Sequence, residues 1–315
     1  MKNKRALVTG GCGFIGSNLS VELLNQGYDV TIVDNMTSAR DDIGEFIKQN
    51  KELKIIPVCF ASDQVIAKVN NKEFDVVFHN AAIPRVSFSV ENPFLTTDVN
   101  VLRTVKLLEA CRGNIKRFVF ASSSSVYGGA DDLPTPCDYQ KDPKSPYAWQ
   151  KSCIEEAIKV FCDLYNLDAI CLRYFNVFGP GQFGGSAYAT AVSAWCHSIK
   201  MNLPLRSDGT GEQTRDMCYI DNVVQANIKA AESDKVFRGE RYNVACGDRV
   251  SNNEILDYLK SKFKNVVIQN APPRPGDVMH TLADITETKK NLNYNPDTSF
   301  WEGLEKTLAW WKLNY

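Results

Sequence analysis

The 315-residue sequence predicts an α/β protein built on a doubly wound parallel sheet. Three observations carry this. Short apolar runs rich in Val, Ile and Phe alternate with longer segments whose apolar residues recur every three or four positions. The first run ends in glycines that open the first helical segment. Repeated strand–helix alternation implies right-handed crossovers, which put helices on both faces of one sheet.

Residues 5–9 (Arg-Ala-Leu-Val-Thr) read as a buried strand, and 14–26 as a helix with Phe14, Ile15, Leu19 and Leu23 on one side, stopped by Gly27. A second strand is expected at 28–34, a third at 54–58, a helix near 64–70 and a strand at 74–79. A long helix is expected over 92–112, a strand over 117–121, a helix over 145–165 and a strand over 169–174. After about 176 the texture changes. Residues 179–185 are loop-like and rich in glycine, Pro272, Pro273 and Pro275 punctuate the chain, and 300–312 is amphipathic. We read 1–176, plus about 215–245, as one domain and about 177–214 with 246–315 as a smaller one.

Composition excludes several classes. Apolar residues at 44% and charged residues at 23% suit a folded globular chain rather than a disordered one. Lys+Arg at 36 against Asp+Glu at 37 leaves no basic excess for general nucleic-acid binding. No apolar run reaches the ~20 residues of a membrane helix, and the run at 6–9 is too short for a secretory signal. Ten cysteines lie scattered in apolar stretches without a Cys-x-x-Cys pair, and there are three histidines. No metal is expected, and buried thiols of a cytoplasmic protein are.

Gly10, Gly13 and Gly16 form Gly-x-x-Gly-x-x-Gly between the first strand and the first helix. Such glycines let the backbone approach a pyrophosphate, whose charge the helix N-terminus favours. Asp34 follows at the end of the second strand, placed to accept hydrogen bonds from ribose hydroxyls and to repel a 2′-phosphate, so NAD is favoured over NADP. Arg40 blurs this and is read as a solvated loop charge. Tyr147 and Lys151 stand four apart on one helix face, where an ammonium beside a phenol favours the phenolate. Ser122-Ser123-Ser124-Ser125 ends the 117–121 strand, on the side where open α/β sheets bind ligands.

With these motifs the chain resembles extended short-chain dehydrogenases/reductases of the nucleotide-sugar epimerase/dehydratase group. The resemblance spans nearly the whole length. It includes His79-Asn80-Ala81-Ala82, Asn100, Arg173-Tyr174-Phe175-Asn176-Val177-Phe178-Gly179-Pro180, Arg215-Asp216-Met217-Cys218-Tyr219-Ile220-Asp221 and Arg274-Pro275-Gly276-Asp277. It implies a Rossmann-type sheet that binds NAD, a smaller C-terminal α/β domain for the nucleotide sugar, and a homodimer formed through the helices near 92–112 and 147–165. The catalytic residues implied are Ser123, Tyr147 and Lys151. The cofactor residues are Gly10, Gly13, Phe14, Ile15, Gly16, Asp34, Asn35, Ser38, Ala81, Ala82 and Asn100, with Tyr147 and Lys151. The substrate residues are Ser123, Ser124, Tyr147, Asn176, Arg215, Arg274 and Thr281.

Within the group the chain is most similar to UDP-hexose 4-epimerases, especially those acting on UDP-N-acetylglucosamine. Sugar 4,6-dehydratases carry Asp and Glu where this chain has Ser124 and Ser125, which cannot do that acid/base work. In the family a Tyr at the position of Thr281 accompanies restriction to UDP-Glc/UDP-Gal. Thr281 therefore favours UDP-GlcNAc/UDP-GalNAc. The rival readings are a UDP-uronate epimerase or decarboxylase, for which no carboxylate-recognising group is evident, and a non-catalytic NAD-binding regulator. Three departures stand out: Phe60 replaces the usual adenine-binding Asp, leaving Ser62 or Asp63 for that contact; Arg103 replaces a glycine; and Arg206 replaces an aromatic and is expected to be exposed.

Overall fold

The computed structural model describes residues 4–185, 189–273 and 278–313. Its main sheet contains β1 (Arg5–Thr9), β2 (Asp29–Val33), β3 (Lys54–Ile56), β4 (Val76–His79), β5 (Arg117–Ser123), β6 (Ala169–Tyr174) and an edge strand, Arg238–Val244. The order is β3-β2-β1-β4-β5-β6 followed by the edge strand, with every pair parallel. The chain winds outward from β1 to β3, then returns to β4 on the other side of β1. Loops leaving β1 and β4 diverge at that reversal and open the crevice where such sheets bind ligands.

Side-chain alternation decides which residues meet which helices. Ala6 and Val8 of β1 join the core on one face, and Leu7 joins the core on the other. Helices Phe14–Asn25 and Ile220–Glu232 cover the first face. Helices Asp63–Asn70, Arg103–Cys111 and Pro146–Tyr165 cover the second. Strands β4 and β6 are buried along their whole length, which accounts for their nearly continuous apolar runs.

One expected element is subdivided. The 92–112 helix consists of Pro93–Thr97, a π turn at Asp98–Leu102, and Arg103–Cys111. The π turn contains Asn100. Its Nδ2 donates to the Ile83 carbonyl (3.1 Å) and Gln150 Oε1 (2.8 Å), while its Oδ1 accepts from Ile83 N–H (2.8 Å). A π bulge is a frequent device where a side chain must be re-aimed at a functional site. Arg103 pairs with Asp98 at 2.6 Å and reaches Cys59 Sγ at 3.3 Å, so its bulk lies against the bulged segment rather than inside the helix packing.

Beyond β6 the pairing is short. Val177–Phe178 pairs with Cys218–Tyr219, Thr214–Arg215 with Val250–Ser251, and Leu205–Asp208 with Ile268–Ala271. Val177–Phe178 follows the C-terminal end of β6 directly, helix Ala191–Lys200 packs against Leu205–Asp208, and helix Asn252–Lys262 against Val250–Ser251. Among the described residues no helix is long and apolar enough to cross a membrane.

Candidate active site

The glycine loop follows β1 directly. Gly10 has φ +69°, and a Cβ there would lie 2.8 Å from the Ala81 backbone. A Cβ on Gly16 would lie 2.2 Å from the Gly10 carbonyl oxygen. Both positions therefore exclude any side chain, and the turn stays tight. The helix it opens has Gly13 as N-cap with no side chain bonding its first N–H groups. Phe14 and Ile15 form that first turn, which offers donors and positive dipole to an anion. Asp34 braces the loop from β2: Oδ2 accepts from Cys12 N–H (3.0 Å) and Oδ1 from Met36 N–H (2.8 Å). Each oxygen keeps a lone pair for a ribose hydroxyl. Asn35 accepts from the Thr37 hydroxyl at 2.8 Å, and Ser38 is exposed beside Gly13. The cradle fits a dinucleotide.

Arg40 differs from expectation. It is not a solvated charge; its side chain is 9% exposed and gives a fork to Asp42 (2.5 and 2.9 Å) and a third bond to Ser17 (3.1 Å). It also lies 4.9 Å from the Phe46 ring centre. A planar guanidinium suits paired carboxylate oxygens and an aromatic face together. Phe60 is buried edge-on against His79, Asp63 is exposed and paired with Lys106, and Ser62 Oγ is buried without a partner. Arg206 is exposed and paired with Asp208.

The second cluster sits at the end of β5 and the start of the Pro146–Tyr165 helix. Ser145 caps that helix through Ala148 N–H (3.2 Å), and Ser89 Oγ accepts from Tyr147 N–H (3.1 Å). These bonds fix the first turn and hence Tyr147. Burial pushes the Tyr147 phenol up to about 12, and a hydrogen bond with Ser123 opposes the shift. Ser123 Oγ also accepts from Ser125 N–H (3.2 Å). Lys151 is nearly enclosed. Its ammonium donates to the Ala121 carbonyl at 2.6 Å and lies 5.9 Å from the Tyr147 ring centre. Burial lowers its pKa to about 8, against the pull of Glu155. Burial is thus the dominant influence on the phenol in this arrangement, while the Lys151 ammonium is engaged with the strand carbonyl.

Two buried polar atoms, Asn80 Oδ1 and Ser125 Oγ, have no partner. They follow β4 and β5 at the crevice, where ligand polar groups would satisfy them. Ala81 and Ala82 are half-buried on the same loop, and Asn100 holds that loop through Ile83. Sequence reasoning missed the support beneath. Ser122 Oγ donates to Glu155 (2.6 Å), Arg173 forks onto Glu155 (2.7 and 2.8 Å) and also bonds the Tyr127 hydroxyl (2.8 Å), and Tyr127 donates to Asn243 (2.6 Å). The signal available was Glu155 at i+4 from Lys151.

The substrate-side candidates fall on three segments. Asn176 Nδ2 donates to the Asp216 carbonyl and to Thr281 Oγ1, both at 3.3 Å. Arg215 is half-buried and donates to the carbonyls of Thr214 (2.9 Å) and Met279 (3.2 Å). Ser124 is half-buried beside Ser123. Asn176, Arg215 and Thr281 are therefore brought together across the chain. Arg274 lies outside the described residues.

Comparison with known proteins agrees with this geometry. Residues 6–245 match the NAD dependent epimerase/dehydratase family. The chain is similar to the UDP-N-acetylglucosamine 4-epimerase of Methanobrevibacter ruminantium, solved in complex with UDP-N-acetylmuramic acid, with 35% identity, TM-score 0.91 and 99% of each chain covered. It is 30% identical to the UDP-glucose 4-epimerase of Mycolicibacterium smegmatis and 31% identical to the UDP-N-acetyl-α-D-glucosaminuronate decarboxylase of Bacillus cytotoxicus, with 98% of each chain covered in both cases. With residues 6–245 matched by the family model and relatives at 30–35% identity over 98–99% of each chain, the chain belongs to the NAD dependent epimerase/dehydratase family.

Proposed function

We propose that this protein is an NAD-using isomerase that interconverts the C4 epimers of a UDP-sugar, UDP-GlcNAc/UDP-GalNAc being favoured and UDP-Glc/UDP-Gal a further pair. The observation that carries the reading is the convergence of Ser123, Tyr147 and Lys151 at the end of β5 beside Ser124 and Ser125, which bring no carboxylic acid or base. That chemistry suits reversible oxidation without dehydration. NAD, when bound in the Gly10–Gly16 cradle, would supply the hydride acceptor and later the donor. Tyr147 takes the proton of the sugar 4-hydroxyl and returns it after the 4-keto sugar has presented its other face. Ser123 holds the hydroxyl beside the phenol, and Lys151 orients the ribose of the cofactor. Asn176, Arg215 and Arg274 hold the UDP diphosphate while the sugar turns. Thr281 leaves room for an acetamido group that a Tyr would fill.

The test is proton NMR of the purified protein with UDP-GlcNAc and, separately, UDP-Glc, without added NAD. UDP-GalNAc is the expected product, with cofactor retained from purification. Conversion of UDP-Glc alone would overturn the role given to Thr281. Tyr147→Phe should lower kcat by about 10²–10⁴, the usual size of a lost acid/base group. Unchanged turnover would remove Tyr147 as the base. A UDP-uronate is the second reading, supported by the substrate in the Bacillus cytotoxicus relative's name. The same assay with UDP-glucuronate distinguishes it.

We further infer a homodimer. Phe94, Leu95 and Leu102 are exposed near one helix pair and Trp149, Val160 and Leu164 on the next, Phe94 at 86%. Val101 and Leu108 face the sheet instead. Apolar exposure on this scale on adjacent helices suits a second copy of the same surface. A single-chain mass by sedimentation at micromolar concentration would exclude it. Residues 1–176 with 215–245 as the NAD-binding domain, and 177–214 with 246–315 as the sugar-binding domain, complete the reading. A cytoplasmic location is supported by ten free cysteine thiols, and fractionation of cells checks it.

A further inference from the structure

Asp216 is fully buried between the short strands Thr214–Arg215 and Cys218–Tyr219. Its carboxylate accepts three backbone N–H groups. Cys246 donates to Oδ1 at 2.9 Å, and Gly247 and Ala283 donate to Oδ2, each at 3.1 Å. Its own backbone makes two further ties. The Asp216 N–H donates to Thr281 Oγ1 at 3.2 Å, and its carbonyl accepts from Asn176 Nδ2 at 3.3 Å. Thr281 N–H in turn donates to the Thr214 carbonyl at 3.1 Å, next to Arg215. One enclosed residue therefore joins the segment after β6, the turn after the edge strand, and the segment carrying Thr281.

We propose that Asp216 is the positioning residue of the nucleotide-sugar side, holding Asn176, Arg215 and Thr281 in one frame and acting through them rather than on the substrate. This rests on the reading of the site as a UDP-sugar site. The side-chain type follows from the partners. Three donors converge on two oxygens, which an ionised carboxylate can satisfy because it only accepts. An Asn there keeps one acceptor oxygen and turns an NH2 group towards a backbone N–H, so at least one of the three bonds is lost. Gly247 has φ +72°, a turn that favours glycine, and its N–H is aimed at the Asp216 carboxylate. Val177–Phe178 pairs with Cys218–Tyr219 and Thr214 bridges to His280, but among the described residues no strand pairing joins the Cys246–Gly247 turn to the segment carrying Thr281. Losing the carboxylate would loosen the frame without touching the Gly10–Gly16 cradle or the Ser123–Tyr147–Lys151 cluster.

The experiment compares the wild-type holoprotein with Asp216→Asn by calorimetric titration with UDP, and by steady-state kinetics on the UDP-sugar that the wild type converts. The expected result is a rise of at least ten-fold in both Kd for UDP and KM, a fall of less than about three-fold in kcat, and unchanged bound NAD. A purely structural role would lower the folded fraction and leave KM alone. UDP binding and KM within two-fold of the wild type would overturn the proposal, as would a collapse of kcat with KM intact. Wild-type protein that binds no UDP would overturn the functional reading itself. If the variant does not fold, hydrogen exchange on the wild type decides. The amides of Cys246, Gly247 and Ala283 should be protected and slow further when UDP is added. Exchange as fast as at exposed Thr210 would overturn the proposal.

Discussion

Glu155 and Asp216 are both fully enclosed carboxylates, and the molecule treats them in opposite ways. Glu155 lies beneath the end of β5, bonded to Ser122, and is met by a cation: Arg173 forks onto it, with Lys141 at 3.6 Å and Arg241 at 3.4 Å. Burial pushes its pKa up, but Arg173, Ser122 and Lys141 outweigh burial and hold it below the usual carboxylate range. Asp216 has no salt bridge among the described residues and is met by three backbone dipoles. Burial pushes it up to about 7 against those three bonds. A cation fixes charge at one place over a wide pH range. Amide dipoles hold several segments at once, and their grip depends on the carboxylate staying ionised. The first suits a site whose catalytic groups must stay put, and the second a site assembled from separate segments.

The largest effect that would break this comparison comes from Glu155→Gln. The amide cannot neutralise Arg173, which is itself fully buried, so a guanidinium is left uncompensated. Removing one partner of a buried pair costs about 3–5 kcal/mol. Chemical denaturation should show that loss in the midpoint with the slope unchanged. A variant as stable as the wild type would mean that Tyr127 and the Cys137 carbonyl, both bonded to Arg173, suffice for it. The linkage has a definite sign. A carboxylate held below its ordinary pKa contributes stability that is present above about pH 4.3 and lost as pH falls through its folded value. For Asp216 the sign reverses: its raised pKa means that proton uptake between about pH 7 and pH 4 favours the folded state.

The two carboxylates also mark how far the sequence could be read. The glycines stand three apart in one turn, Tyr147 and Lys151 stand four apart on one helix face, and Asp34 ends the strand that follows the glycine-opened helix. Their elements followed from periodicity. Glu155 stands at i+4 from Lys151, but Arg173 is on β6, and nothing local announces that a strand will bring it there. The partners of Asp216 are harder still. They lie 30, 31 and 67 residues away and are backbone N–H groups, which any residue but proline supplies. The π turn at Asn100 escaped because a helix of ordinary composition carries it. Arg40 was misread because its carboxylate partner, Asp42, is two residues away on a loop, where pairing and solvation look alike in sequence.

The smaller effect sharpens the comparison through pH. If the ionised Asp216 holds the nucleotide-sugar frame, KM for the UDP-sugar should rise as pH falls below 7, by about ten-fold between pH 8 and pH 6. A group with pKa near 7 is mostly ionised at the first and mostly protonated at the second. Stability should not fall over the same interval, since Glu155 keeps its charge there. The diphosphate of a UDP-sugar is esterified at both ends and does not titrate in this range, so the substrate adds no slope of its own. The groups around Asp216 are Asp248, which raises its pKa, and Cys218, Cys246 and Tyr294, with His280 bonded to Thr214 on the adjoining segment. The profile measured on Asp216→Asn separates them. That variant retains His280 and the thiols, so a KM that is already high and flat from pH 8 to pH 6 assigns the slope to Asp216. A wild-type KM flat over this range would show that three backbone N–H groups hold the carboxylate ionised as firmly as Arg173 holds Glu155, and the two sites would then differ in partners but not in response to pH.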